Sequence, residues 1–200
     1  MIISHKFKYI FLKTNKTAGT SIEIALAKSC GKDDIITPIS PEDEVTRAEL
    51  GGRGPQNFGA PYRDYRPRDW ARLLIKRRPK FLYYNHIGAP QAKQLIGDEI
   101  WNSYFKFCFE RNPWDRVVSL YFFRHPDGDG PSITEFIDSG EPLALKDRGF
   151  GVYSIDGKIA VDKVCRFENI ADEMEDVRKH VGIPEELHLP RAKSRFRKDK

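Results

Sequence analysis

Lys16, Thr17, Thr20 and Ser21 crowd around Gly19 in the stretch "FLKTNKTAGTSIEIAL", residues 11–26. Side chains of these types, so spaced, could hold a tetrahedral anion. An apolar run enters the stretch, a polar turn follows, and an apolar-periodic helix leaves it. Such a corner aims several backbone N–H groups at one point, and the helix end adds about half a positive charge. Thr17, Thr20 and Ser21 bring hydroxyl donors, Gly19 lets the backbone approach closely, and Lys16 reaches the anion from the side of the turn. The common ATP/GTP loop places its lysine directly before the Ser or Thr that opens the helix. Here Gly19 holds that place, so a nucleoside triphosphate is not the expected ligand. An ordinary strand-to-helix turn that contains Lys and Thr would read the same on this stretch alone.

A second anion-binding set lies in "FCFERNPWDRVVSLYFF", residues 107–123. Arg111 leaves a strand just before a helix opened by Pro113, and Ser119 falls about two turns into that helix. A guanidinium grips a phosphate with two hydrogen bonds, and a hydroxyl takes another oxygen. The competing reading pairs Arg111 with Glu110 or Asp115 and leaves Ser119 an ordinary helix residue. Two anion sites on separate strand–helix corners favour a ligand with phosphate groups at both ends.

The elements that must position these residues follow from local pattern. Residues 9–12 form a short buried strand, and Thr20 or Ser21 caps the next helix, which stops at Gly31. Residues 37–69 are rich in Pro, Gly and charge, and read as a long inserted loop to about residue 70, holding one helix over 41–50 that Ser40 caps and Pro41 opens. "FLYYNHIG", residues 81–88, is a second strand ending at Asn85-His86, with a helix over 90–96. Residues 104–109 are a third strand, and Asn112 caps the helix that Pro113 begins. A short helix lies within 130–140, a hairpin turns at Asp156-Gly157, and a last helix covers 170–181 and stops at Gly182. Strands alternating with helices imply an α/β fold of three layers, with a mainly parallel central sheet flanked by helices.

The bulk numbers fit one domain over residues 1–200, at 40% hydrophobic and 12% aromatic residues. A net charge of +5 suits an anionic ligand and argues little for nucleic acid. Cys30, Cys108 and Cys165 have no metal-ligand spacing, which points to reduced thiols and a cytoplasmic setting. No apolar run reaches membrane-spanning length, and no membrane anchor is expected.

The two loops together resemble the sulfotransferases, in particular the sulfotransferase family 2 type, which includes carbohydrate sulfotransferases. "KTNKTAGTS" is similar to their 5′-phosphosulfate loop, commonly Pro-Lys-Thr-Gly-Gly-Thr-Ser, with Asn15 in place of Pro and Ala18 in place of the first Gly. "RNPWDRVVS" is similar to their 3′-phosphate motif, an Arg followed eight residues later by Ser. "NHIGAPQAKQLIG" and "CRFENI" extend the resemblance over most of the chain. It implies a P-loop-like fold and the donor 3′-phosphoadenosine 5′-phosphosulfate (PAPS), with 3′-phosphoadenosine 5′-phosphate (PAP) as product and no metal. The loop from Lys16 through Thr17, Ala18, Gly19, Thr20 and Ser21 then holds the 5′ end, and Arg111 with Ser119 the 3′-phosphate. Lys16 would donate to the bridging oxygen as charge develops there. Arg166, in "CRFENI", falls where the family pattern has a similar Arg-Phe-Glu and would be a further nucleotide ligand, or else pair with Glu168; Lys193, in the basic tail, could close over the 3′-phosphate or the adenine.

The acceptor, a carbohydrate or other hydroxylated small molecule, needs a base. His86 stands at the ligand-facing end of its expected strand, near its ordinary pKa, and fits that role. A structural histidine is the alternative, and Glu110 or the run Glu42, Asp43 and Glu44 are the other bases. Rival functions are a nucleotide kinase or NTPase on a related fold, and a non-catalytic PAP- or RNA-binding module.

Overall fold

The computed structural model describes residues 1–77 and 79–190. The first strands are Ile2–Ser4 (β1) and Tyr9–Leu12 (β2), paired antiparallel with Ile3 opposite Ile10. Helix α1 (Gly19–Ala27) follows, and Ile35–Ile36 (β3) pairs antiparallel with β1. Helices α2 (Pro41–Glu49), α3 (Pro67–Lys76), α4 (Ala89–Ile96) and α5 (Asp98–Ser103) precede the long strand β4 (Phe105–Glu110). Helices α6 (Pro113–Arg124), α7 (Ile133–Asp138), α8 (Ala144–Asp147) and α9 (Phe150–Tyr153) come next. The hairpin β5 (Ser154–Ile155) and β6 (Lys158–Ile159), strand β7 (Lys163–Arg166) and helix α10 (Ile170–Val181) complete the order.

The central sheet runs β3-β1-β2-β4-β7 and is mixed. β2 pairs with β4, and β4 with β7, in parallel, while both pairings at the β3 side are antiparallel. Alternation along the strands supplies both faces with apolar side chains. Tyr9, Phe11, Phe107 and Phe109 pack with Ile22 and Leu26 of α1 and Met174 and Val177 of α10. Ile10, Leu12 and Cys108 pack on the other face with Ala89 and Ala92 of α4 and Trp101 of α5. Helices therefore flank the sheet on both sides. All three cysteines are buried and unpaired.

Several expected boundaries hold because their local chemistry is complete. The Ser40 hydroxyl accepts from the Asp43 N–H and Pro41 opens α2; the Asn112 side chain accepts from the N–H groups of Trp114 and Asp115 and Pro113 opens α6. Others move. "FLYYNHIG" is not a strand: Phe81 makes one isolated bridge to Gly59, and the chain then turns, with His86 at φ +62°. Its apolar side chains find burial from a turn instead, Tyr83 and Ile87 packing into the α4 side of the core. Helix α1 is preceded by Ala18 in the left-handed conformation, not by Thr20 or Ser21 as cap, and it ends at Ala27, short of Gly31. The inserted region carries α2 and the first turn of α3, and is pinned where Gln56 and Ile36 exchange both backbone hydrogen bonds. A strand missing from the expected order, β7, joins the parallel side of the sheet next to β4.

Candidate functional site

β2, β4 and β7 lie side by side and run the same way, so the segments that leave their C-terminal ends share one edge of the sheet. That edge is where open α/β sheets bind ligands. The loop from Lys13 to Ala18 leaves β2, Arg111 and Asn112 leave β4, and the turn Phe167–Asn169 leaves β7. Short bonds tie these segments together. The Thr14 hydroxyl donates to the Phe109 carbonyl, and the Asn112 N–H donates to Glu168 at 2.7 Å.

Lys16 and Ala18 have φ of +64° and +56°, whereas Thr17 and Gly19 do not enter the left-handed region. Left-handed residues set between others are the backbone pattern from which anion nests are made. The first N–H groups of any helix lack intrahelical acceptors, and no side chain caps those of α1, because Ala18 has none to offer. Arg116, buried on α6, clamps the outside of the loop. It donates through Nε to the Asn15 carbonyl at 2.8 Å, through Nη1 to Glu110 at 2.8 Å, and through Nη2 to the Arg148 carbonyl at 3.0 Å. Gly149 allows this grip, since a Cβ there would lie 2.4 Å from Nη1.

A buried charge pair supports the loop from inside. Lys13 Nζ donates to Glu23 Oε2 at 2.5 Å and to Thr20 Oγ1 at 3.1 Å, and the Met1 ammonium donates to the other Glu23 oxygen. Lys13 can only donate, so Thr20 accepts in that bond and does not use its own hydroxyl hydrogen there. The lysine stem explains Gly19 more sharply than ligand approach does. A Cβ on Gly19 would lie 2.6 Å from Lys13 Cγ.

The expected site residues divide between this edge and its support. The Lys16 ammonium sits 4.0 Å from the Phe123 ring centroid, on the face of α6 that also carries Ser119 one turn earlier. The Thr17 side chain is 1% exposed and turned inward: its hydroxyl lies 2.8 Å from that of Thr14, whose hydrogen goes to Phe109. Thr17 therefore has its backbone N–H, not its hydroxyl, to offer a ligand. Thr20 and Ser21 open α1 and are buried. Arg111 stacks on Phe167 at 4.3 Å, and Glu110 pairs with Arg116 at 2.8 Å. Arg166 is exposed opposite Glu110 in the β4–β7 register. Glu168 lies below its ordinary pKa, first because of the Asn112 N–H bond and further through the charges of Arg111 and Arg166. Lys193 lies outside the described residues.

A protein of Archaeoglobus fulgidus, described as an uncharacterized protein, is 36% identical to this chain over 104 residues. The match spans 50% of this chain and 87% of that protein. The chain belongs to the family of that archaeal protein. No family model matches the chain, and no solved structure matches it.

His86 flanks the loop at its start. Its Nδ1 lies 2.8 Å from the Lys13 carbonyl. A carbonyl only accepts, so Nδ1 carries the proton and Nε2 keeps its lone pair, the tautomer a general base needs. The expectation of an ordinary pKa is corrected: burial, countered in part by the bond to Lys13, lowers it to about 4, and the charges of Lys13, the N-terminus and Arg148 push the same way. Of the alternative bases, Glu44 is paired with Arg47 and accepts from the Ile39 N–H, and Asp43 accepts from the Ser40 hydroxyl.

Sequence reasoning missed Lys13, Glu23 and Arg116. One signal was present: Glu23 is the only acid in "GTSIEIALA", a helix in which every residue is buried. A buried carboxylate demands a cation, and Lys13 stands ten residues earlier. Among the described residues, no group of three or more His, Cys, Asp or Glu is placed to hold a metal ion. None of their helices is long and apolar enough to cross a membrane.

Proposed function

We propose that this protein is a PAPS-dependent sulfotransferase on a P-loop-like fold, acting in the cytoplasm on a hydroxyl of a carbohydrate or other small molecule. The observation that carries this reading is the meeting of two kinds of anion donor at one sheet edge. The nest of Lys16 to Gly19, backed by the uncapped start of α1, lies beside Arg111 at the end of the neighbouring strand. This donor set fits a nucleotide with a charged group at each end. When bound, PAPS supplies a sulfuryl group on a phosphate leaving group. The N–H groups of the nest and the start of α1 hold the 5′ end, and Thr20 adds its hydroxyl. Lys16 moves its ammonium from the Phe123 ring toward the oxygen that gains charge. Arg111, with Ser119 and Arg166, holds the 3′-phosphate. His86 takes the acceptor's proton on Nε2. A lowered pKa makes a weak base in the free protein, but the low value reflects burial and nearby positive charge. An anion bound in the nest offsets that charge and raises the basicity where it is used.

Calorimetric titration with PAP, ATP and GTP tests the reading. Tight PAP binding with negligible ATP and GTP binding is expected. Tight ATP or GTP binding without PAP binding would replace it with a kinase or NTPase. Salt-sensitive oligonucleotide binding that PAP does not compete would replace it with an RNA-binding module.

A further inference from the structure

Helix α3 buries none of its residues, although half of them are apolar. At helical spacing its side chains separate into two stripes. Arg68, Arg72 and Lys76 recur every four residues and form a basic row. Ala71, Leu74 and Ile75 lie together beside it, with Leu74 and Ile75 77% and 79% exposed. Tyr62, itself mostly exposed, stacks on Trp70 with ring centroids 5.8 Å apart and extends the apolar side. An open groove runs between the stripes, lined by Arg68, Ala71, Arg72 and Ile75. The helix is held at its base by Asp69, which accepts from the Arg66 N–H and pairs with Lys80 at 3.0 Å, so its outer face is presented and not consumed.

The charge is concentrated here. Residues 61–80 contain eight Lys or Arg and two Asp, an excess of six, against +5 for the whole chain. The surface that fits must supply negative charge and apolar depth in one plane. Nucleic acid supplies the charge but leaves Leu74 and Ile75 in water. A bilayer with anionic headgroups supplies both, and Trp and Tyr favour the headgroup boundary. We infer that α3 and the aromatic turn before it dock on an anionic membrane surface, with Leu74 and Ile75 below the headgroups and Arg68, Arg72 and Lys76 among the lipid phosphates. This inference is independent of the sulfotransferase reading.

Flotation with vesicles of phosphatidylcholine, alone or mixed with phosphatidylglycerol, tests it on the full chain. The wild type should float with the mixed vesicles and only weakly with phosphatidylcholine. The double variant Leu74→Glu, Ile75→Glu should lose roughly tenfold or more in binding, because two aliphatic insertions vanish. Arg72→Glu with Lys76→Glu should lose about as much on mixed vesicles and nothing on phosphatidylcholine. All four side chains are exposed, so unchanged thermal melting confirms the fold. Absence of vesicle binding overturns the inference. So does binding indifferent to Leu74→Glu, Ile75→Glu, which would assign attraction to charge alone. Self-association or RNA binding that these variants abolish, without vesicle binding, would give the face to another occupant.

Discussion

Lowering the pH from about 7.5 to about 5 should remove about 2 kcal/mol of stability through His86 alone. The unfolded imidazole titrates at its ordinary 6.5, whereas the folded one is held at about 4 by burial and neighbouring positive charge. As pH falls, the unfolded chain takes up the proton first. The contribution is fully present above pH 6.5, declines as pH drops toward 4, and changes no further below that. His86→Gln isolates it, because the amide keeps an N–H donor for the Lys13 carbonyl and cannot titrate. The assay is urea unfolding of both proteins at the two pH values. Carboxylates titrate in both and cancel in the difference. With a slope of about 2 kcal/mol per molar urea, the wild-type midpoint should fall by roughly 1 M more than the variant's. Equal pH dependence in the two proteins would refute the buried, neutral imidazole. The same neutral state means that kcat/KM should show no inflection near 6.5, and that sulfuryl transfer by His86→Gln should drop about 100-fold.

Lys16→Ala should lower turnover about 100-fold or more while PAP affinity, measured by calorimetry, changes little; equal losses would make Lys16 a ground-state ligand. Arg111→Ala should weaken PAP binding by about 1.5–3 kcal/mol and leave a nucleotide lacking the 3′-phosphate unaffected, and a wild type with no 3′-phosphate preference would refute the assignment. Glu23→Ala strands the buried Lys13 charge and should cost about 3–5 kcal/mol, read as a melting temperature lowered by roughly 10 °C. Gly19→Ala should cost about 1–3 kcal/mol by pushing on the Lys13 stem, and a melting curve equal to wild type would show that the stem gives way freely.

Legibility in the sequence followed how local each cause was. Ser40-Pro41, Asn112-Pro113 and Gly182 announce helix ends because a cap or a left-handed turn needs only its own neighbours. The β2-to-α1 corner was readable because strand, turn and helix are contiguous. The run around His86 misled because aromatic richness describes burial, not pairing, and only tertiary contact decides between strand and turn. β7 escaped notice because it is short and borrows its partner from a strand more than fifty residues earlier. The left-handed Ala18 cap was hidden for another reason: alanine gives no sequence sign of positive φ. In the site, the residues proposed to touch a ligand were chosen from types and spacing. The ones that hold them, Lys13, Glu23 and Arg116, were not, because charges bury only when distant segments close over them.

Arg116 has a consequence for how the protein comes into being. Its Nε reaches back 101 residues to Asn15, and its Nη2 reaches forward 32 residues to Arg148, whose carbonyl also accepts from the Asn15 N–H. The polypeptide is synthesised from its N-terminus, so β2 and α1 emerge long before these bonds can form. Contacts so distant in sequence are the slow ones to assemble. The loop at Lys16 therefore matures late, and a nascent chain that ends before Arg148 lacks the carbonyl that accepts from both Asn15 and Arg116. If the loop binds the proposed nucleotide, a chain severed between α6 and α8 should bind it only when the two pieces are mixed.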